Sequence, residues 1–207
     1  MLTPLTLAVV ALSWTGPTST PPLSAPAPVV SQPATPAAKA DTRVTAASPW
    51  LPRSAPTRLF IPSIGVDAPF TDLAIGPSGQ LDAPPPEETN LVGWFAAGPS
   101  PGERGTAIVA GHLDTTTAPA VFASLSTLSP GSDINIVRKD GTTASFVVDA
   151  IDNFPQDKFP DDRVYADTPD AQLRLITCGG SYDHSKKRYT ENTVVFAHLK
   201  TTAAKKQ

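Results

Sequence analysis

The sequence predicts an all-β domain, built as a barrel or a sandwich, that follows a long proline-rich tail. Three observations lead to this expectation. The 24 prolines are distributed unevenly, with 11 in residues 1–56 and 13 in the other 151 residues. Beyond residue 57 the apolar residues come in short runs rich in Val, Ile, Leu and Phe, separated by Gly, Pro and Asp. Only one segment has helical spacing, which disfavours alternating strand–helix units.

The tail divides into two expected parts. Residues 1–16 are predicted to be an apolar export signal or membrane anchor, and residues 17–56 a disordered linker. The run Leu2–Trp14 is uncharged but shorter than the roughly 20 residues that a membrane-spanning helix needs. The linker is mostly Pro, Ala, Ser and Thr, which bury too little apolar surface to offset the entropy of ordering. We therefore expect an extracytoplasmic domain that is associated with the membrane or exported.

The predicted folded domain covers residues 57–200, and residues 201–207 form a basic C-terminal tail. The expected strands are Arg58–Ile61, Leu91–Trp94, Thr106–Ala110, Asp133–Val137, Ser145–Ile151, Leu173–Thr177 and Thr193–Leu199. The run Lys139–Gly141 indicates a hairpin turn, since Asp-Gly readily adopts positive φ angles. Apolar residues at helical spacing predict one helix over Ala120–Leu128.

Charge and cysteine content exclude several partners. Residues 57–207 have a net charge of −5 and no basic run, so nucleic acid is not an expected partner. The single cysteine, Cys178, cannot form an internal disulfide, and three scattered histidines do not complete a structural zinc site. We expect no cofactor, no metal ion and a monomer.

His112 and Cys178 are the candidate catalytic residues because each comes at the end of an apolar run. His112 follows Thr106–Ala110 and one glycine, whereas Cys178 ends the run Leu173–Thr177 and precedes two glycines. In a barrel, two such strand ends can lie side by side despite their separation in sequence. A thiol needs a neighbouring base, or a cation that stabilises the thiolate, to attack a carbonyl at neutral pH.

Acyl transfer also needs donors or a positive charge where the oxyanion develops. Arg188, the last arginine of the chain, is a candidate for this role, although its spacing alone favours a solvated loop residue. Asp114 could orient the imidazole of His112 or cap the turn that follows it. His184 and His198 are expected to be structural or solvated.

Four segments resemble class F sortases of actinobacteria. They are A-G-H-L-D (Ala110–Asp114), P-A-V-F-x-x-L-x-x-L (Pro119–Leu128), L-R-L-I-T-C-G-G (Leu173–Gly180) and N-T-V-V-F-A (Asn192–Ala197). The segments have the family's order and spacing, and the similarity runs from about residue 58 to residue 199. The resemblance implies a closed eight-stranded sortase-type β-barrel with one or two short helices. It also implies a membrane-associated cysteine transpeptidase.

The resemblance further implies a reaction and its residues. Such enzymes cleave an LPxTG-like sorting signal between Thr and Gly, hold the acyl group as a thioester, and pass it to an amine of a peptidoglycan precursor. Cys178 takes the place of the nucleophile and His112 that of the general acid and base. Arg188 matches the arginine that stabilises the oxyanion. Many sortases place this arginine where the chain has Asn192, so Asn192 is the alternative for that role.

A second class of function remains open, that of an exported, non-catalytic β-domain that binds peptide or cell-wall polymer. In that interpretation Cys178 is a buried, inert thiol. Other thiol enzymes fit less well. Papain-like and NlpC-like peptidases place the cysteine before the histidine, the reverse of the order found here. The S-H-G-C-like run of L,D-transpeptidases is absent.

Overall fold

Eight strands form a closed β-barrel in the computed structural model, which describes residues 50–77 and 79–200. The strands are β1 (Pro56–Ile61), β2 (Val66–Leu73), β3 (Val92–Phe95), β4 (Gly105–Gly111), β5 (Asp133–Arg138), β6 (Thr143–Pro155), β7 (Ala171–Asp183) and β8 (Arg188–Leu199). Their order around the barrel is β1-β2-β3-β4-β7-β8-β6-β5. The predicted all-β class and the closed eight-stranded barrel are confirmed.

Two of the eight strand pairs are parallel. Strand β2 pairs parallel with β3, and β4 pairs parallel with β7, whereas the other neighbours are antiparallel. The predicted turn at Lys139–Gly141 joins β5 to β6, and Gly141 has the expected positive φ of 81°. The parallel pair is the important one for function, because the carboxyl ends of β4 and β7 meet at the same end of the barrel.

Apolar residues from all eight strands fill the barrel interior. The largest of them, including Leu59, Ile136, Phe146 and Leu173, are fully buried. Because side chains alternate across a strand, the intervening residues of β4, β7 and β8 point outward. Their outward-facing side chains form a second buried cluster with Val164 of helix α1 (Asp161–Tyr165), and we call it the outer cluster. Its strand members are Ile108, Ile176, Val194 and Phe196.

Strand β2 was not among the predicted strands. Its sequence, VDAPFTDL, contains Pro69 and two aspartates, which weaken the apolar alternation. Proline is tolerated here because pairing with β3 begins one residue later, at Phe70. Strands β7 and β8 also extend beyond their apolar runs, because they continue as a polar hairpin.

The predicted helix over Ala120–Leu128 is wrong. This segment forms turns and one short 3-10 turn at Leu125–Thr127, while the short helix α1 lies elsewhere. The apolar spacing reflects burial, since Val121, Phe122, Leu125 and Leu128 all pack into the interior cluster. The backbone N–H of Phe122 donates to the carbonyl of His112 at 3.0 Å, so this segment is bound to the end of β4.

The ordered domain begins upstream of residue 57. Residues 50–55, which we call the N-terminal strap, lie against the end of the barrel where β4 begins. Leu51 N–H donates to the carbonyl of Gly102 at 2.7 Å, and Arg53 donates to the carbonyl of Ala96, also at 2.7 Å. The fully buried Arg138 donates to the carbonyl of Pro52. These backbone contacts carry no apolar signal in the sequence, which explains why the linker was predicted to reach residue 56.

The other expectations for the termini concern residues 1–16, residues 17–49 and residues 201–207, which lie outside the described residues. Within residues 50–77 and 79–200, the structure contains no helix with the length and apolar character to cross a bilayer.

Replacing Arg138 with alanine is expected to lower the free energy of unfolding by about 2–4 kcal/mol. The change leaves a cavity under the strap and leaves the Pro52 carbonyl without its donor. Arg138→Met keeps most of the volume and lacks the donors, so its loss should be smaller. Urea unfolding of the full chain followed by fluorescence measures both variants. An alanine variant as stable as the native protein would contradict this account of the strap.

Candidate active site

The strand register brings His112, Cys178 and Asn192 into one row. In the parallel pair, Ala110 of β4 lies opposite Ile176 of β7. Continued two residues beyond this pair, the register places the backbone of His112, just after β4, beside that of Cys178, at the usual strand spacing of about 4.8 Å. In the antiparallel pair, Cys178 lies directly opposite Asn192 of β8. We call these three residues the site row.

The site row lies on the outside of the barrel, next to the outer cluster. Cys178 is two residues after Ile176, and Asn192 is two residues before Val194, so all four side chains share one face of the sheet. Apolar side chains therefore continue from the site row along β7 and β8, where Val164 and Phe159 pack over them and they are buried. The exposed part of this sheet face begins at the site row, where a peptide can reach the thiol.

His112 is held from two sides. A Cβ atom at Gly111 would lie 2.7 Å from the ring of Phe122, so only glycine lets that ring pack behind the end of β4. The Nε2 atom of His112 lies 2.7 Å from the carbonyl oxygen of Pro84, in the loop between β2 and β3. A carbonyl only accepts hydrogen bonds, so Nε2 carries the proton and donates. Nδ1 is then the ring nitrogen that remains for proton exchange.

The side chain of Cys178 is exposed, in contrast to the interpretation of this residue as a buried thiol. The protein atoms around the sulfur nevertheless withdraw it partly from water. This burial raises the pKa of the Cys178 thiol, and the nearby carboxylate of Asp114 raises it further. The thiol form therefore predominates at neutral pH, and a neighbouring base is needed to generate the thiolate.

Asn192 has an arrangement that suits an oxyanion donor. Its Oδ1 atom accepts a hydrogen bond of 3.2 Å from Nε2 of Gln156, which also lies 3.4 Å from the carbonyl of Glu191. These contacts fix the amide so that Nδ2, the donor atom, is left for another acceptor. The neighbouring thiol is on the same face of the sheet.

Arg188 lies at the other end of the polar hairpin. It starts β8 and pairs in register with Asp183, and its side chain is exposed. Four residues, or about 13 Å of strand, separate Arg188 from Asn192, although alternation puts both on the same face. Arg188 lines a cavity of ≈ 240 Å³ together with Gln156 and Glu191. The structure thus brings His112 and Cys178 together, and leaves Arg188 further along the strand.

Asp114 does not use the contact expected from the sequence. Its carboxylate accepts a hydrogen bond from the hydroxyl of Tyr189, whereas the His112 ring is bound to the Pro84 carbonyl. This hydrogen bond raises the pKa of Tyr189 to about 12. The segment after β4 is thereby connected to the hairpin of β7 and β8.

The other two histidines lie away from the site row. His184 stacks edge-on against Tyr182 in the hairpin, with ring centroids 5.1 Å apart. His198 contacts Asp149 at 2.6 Å on the outer surface of β8. Among residues 50–77 and 79–200, no three His, Cys, Asp or Glu side chains are grouped as a metal site.

Three residues around the site row were not found from the sequence. Pro84 acts through its backbone carbonyl, which any residue could supply, so its side chain gives no signal. Gln156 follows β6 in an ordinary polar turn. Tyr189 is adjacent to Arg188 in sequence, yet only the pairing of β7 with β8 reveals that its hydroxyl reaches Asp114.

The fold and the site row agree with a known family. A family model for the sortase domain matches residues 59–200. Sortase A from Corynebacterium diphtheriae, in a lid-mutant form, is 20% identical, with a TM-score of 0.55 over 74% of each chain. A Clostridium perfringens sortase D5 transpeptidase is 19% identical, with a TM-score of 0.53 over 71% of this chain and 79% of that one.

Sortase C-1 from Actinomyces oris gives a similar result, with 21% identity and a TM-score of 0.53 over 70% of this chain and 71% of that one. No curated protein matches the sequence. At these identities the solved structures support the fold, and the family model covers more than half of the chain. The chain therefore belongs to the sortase family. Its general activity is that of a cysteine transpeptidase.

Alkylation of Cys178 is expected to accelerate with pH, with a midpoint above that of a free cysteine thiol. The sign follows from the raised pKa, because the reactive thiolate is scarce until the pH approaches that value. Cys178 is the only cysteine in the chain, so mass spectrometry after iodoacetamide treatment reports on it alone. A thiol that reacts at full rate well below pH 7 would contradict this prediction.

Proposed function

We propose that this sortase is a class F enzyme that cleaves an LPxTG-like sorting signal and transfers the acyl group to an amine of the cell wall. The proposal is supported above all by the site row, which places an imidazole and an amide on either side of an exposed thiol. The general sortase activity does not specify the signal or the acceptor. Both are inferred from the sequence resemblance and from the shape of the outer sheet face.

The apolar face beside Cys178 supports an extended peptide substrate. Ile176 and Val194 lie two residues from Cys178 and Asn192 on the same face of the sheet, and Phe196 lies two residues further along β8. These side chains are buried, so a leucine–proline segment would contact the partly buried apolar residues that pack over them while its threonine carbonyl reaches the sulfur. Apolar contacts of this kind contribute roughly 25 cal/mol for each Å² removed from water.

The proposed reaction has two acyl-transfer steps. His112 accepts the thiol proton of Cys178, the sulfur attacks the threonine carbonyl carbon, and the peptide C–N bond breaks as the thioester forms. His112 donates this proton to the glycine amine that leaves. An incoming amine then attacks the thioester, His112 accepts the proton of that amine, and the C–S bond breaks to release the thiolate, which takes the proton from His112. His112 therefore returns to its starting protonation state in each cycle.

The oxyanion formed in both steps needs a donor close to Cys178. Asn192 lies opposite the cysteine with its Nδ2 atom left to donate, because Gln156 engages its oxygen. Arg188 lies four residues before Asn192 in β8, so its side chain would have to extend along the strand to reach the oxyanion. The surface between the segment that follows β4 and the hairpin of β7 and β8 is called the groove. We therefore propose Asn192 as the donor that contacts the oxyanion and Arg188 as a residue that binds substrate further along the groove.

Attachment to the membrane is a further part of the proposal. The apolar run Leu2–Trp14 and the proline-rich residues after it are suited to an export signal or anchor and a spacer. A sortase held outside the membrane in this way would meet both exported proteins and cell-wall precursors. Cell fractionation followed by detection of the full chain tests this location.

Incubation of the full chain with an LPxTG-type peptide and an amine acceptor is expected to give a transferred adduct and a thioester on Cys178. Both products are measured by mass spectrometry. The Cys178→Ala variant should give neither product while keeping its fold, because loss of one exposed thiol leaves no large cavity. A folded domain that binds the peptide without any turnover would instead support the non-catalytic alternative.

Replacing Asn192 with alanine is expected to lower kcat by about 10²–10³-fold with little change in KM. Loss of one preorganised oxyanion donor costs about this much, and mainly in the transition state. Arg188→Ala should mainly raise KM if it binds substrate further along the groove. Lys186→Ala and Lys187→Ala are the controls, since exposed hairpin charges should change the rate only slightly.

The two assignments give opposite results in this set of variants. If Arg188 is the oxyanion donor, Arg188→Ala should show the large loss of kcat and Asn192→Ala should resemble the lysine controls. Arg188→Lys would then recover little, because an ammonium group does not reproduce the planar guanidinium. Steady-state kinetics of the variants, measured side by side, distinguish these outcomes.

A further inference from the structure

Tyr189 and Asp114 connect the two chain segments that carry the reactive residues. Asp114 is two residues after His112, in a tight hairpin where Thr115 N–H donates to the Ala118 carbonyl at 2.8 Å. Tyr189 lies on β8, in the hairpin that follows Cys178. Its hydroxyl donates to Oδ2 of Asp114 across the groove. We call this hydrogen bond the clasp.

The tyrosine side chain is itself held in place. Tyr189 pairs in register with Tyr182, and their rings pack edge to face with centroids 5.2 Å apart. Tyr182 packs in the same way against His184. The ring of Tyr189 thus has a fixed position from which the hydroxyl reaches Asp114. Edge-to-face aromatic pairs of this kind are a favoured arrangement.

Asp114 is a negative charge placed beside a thiol that must ionise. Its carboxylate opposes formation of the Cys178 thiolate, in addition to the effect of burial. A carboxylate whose charge acts on a nucleophilic cysteine opposes thiolate formation less when another group donates a hydrogen bond to it. The phenol of Tyr189 supplies a donor to that carboxylate.

We propose that Tyr189 is a positioning residue that shields Cys178 from the charge of Asp114. By donating to Oδ2, the phenol spreads the negative charge of the carboxylate and holds it on the Tyr189 side of the groove. The thiolate of Cys178 then forms at a smaller electrostatic cost. This role rests on the proposed function of Cys178 as the nucleophile, and the motif resemblance does not assign it.

Other groups around the sulfur do not replace this role. The segment after β4 also carries His112, which acts as the proton carrier. From β8, Glu191 and Arg188 flank Tyr189 and Asn192, and Asn192 carries no charge. Tyr189 is therefore the group that directly contacts Asp114 across the groove.

The test measures the pH dependence of Cys178 alkylation in the full chain. Asp114→Asn keeps an oxygen that can accept from Tyr189 and removes the charge, so the midpoint should move to lower pH. Tyr189→Phe keeps the ring and removes the donor, so the midpoint should move to higher pH. Tyr182→Phe is the matched control and should leave the midpoint unchanged, because the clasp keeps both of its partners.

The double variant separates shielding from a general structural effect. Without the carboxylate there is nothing to shield, so Asp114→Asn with Tyr189→Phe should match Asp114→Asn alone. The effect of Tyr189→Phe should also shrink in 1 M salt, where the screening length falls to about 3 Å. In the peptide-transfer assay at neutral pH, Tyr189→Phe should lower kcat about tenfold, the size of one hydrogen bond to a charged group.

The proposal is overturned if Tyr189→Phe leaves the midpoint unchanged or lowers it, or if the double variant behaves like Tyr189→Phe alone. Thermal unfolding of each variant establishes that the comparison is made on folded protein. Alkylation requires no peptide substrate, so it tests the clasp separately from the reaction. If the midpoints move as expected but no peptide is transferred, the clasp stands and the proposed sorting reaction fails.

Discussion

The parallel pairing of β4 with β7 is the constraint on which the rest of the site depends. Hairpins bring together only residues that are close in sequence, whereas His112 and Cys178 are far apart. Parallel neighbours require a long crossover connection, and here β5 and β6 lie within that connection and close the other side of the barrel. The crossover through β5 and β6 is therefore what makes the imidazole and the thiol neighbours in the folded barrel. Interior residues such as Leu173, far from the chemistry, determine the geometry of the site row.

The outer cluster follows from the same pairing. Strands β4, β7 and β8 need apolar residues on both faces, because one face fills the barrel and the other is buried against Val164 of α1. The run Leu173–Thr177 before Cys178, in which Leu175 and Ile176 lie on opposite faces, is the sequence signature of such a strand. After Ile176 the next outward-facing residue of β7 is Cys178, and the hairpin that follows is mostly polar. The thiol is thus located at the boundary between the buried outer cluster and an exposed hairpin.

The sequence predicted the features that burial imposes. Seven strands, the turn at Lys139–Gly141, and the proximity of His112 to Cys178 all follow from apolar runs and their ends. Strand β2 was missed because Pro69 interrupts its pattern, and Ala120–Leu128 was assigned a helix because burial alone can imitate helical spacing. Contacts made by the backbone carbonyl of Pro84, or across strands by Tyr189, depend on register and have no local signal.

The strap and the site row occupy opposite ends of β4. The strap contacts Gly102, just before β4 begins, whereas His112 follows its last residue. Seven residues of strand place these ends roughly 23 Å apart. Residues 50–55 therefore do not share a surface with a peptide that approaches Cys178. Because Arg138 fixes the strap from inside the barrel, the strap has a defined position at the end of β4 that lies away from Cys178.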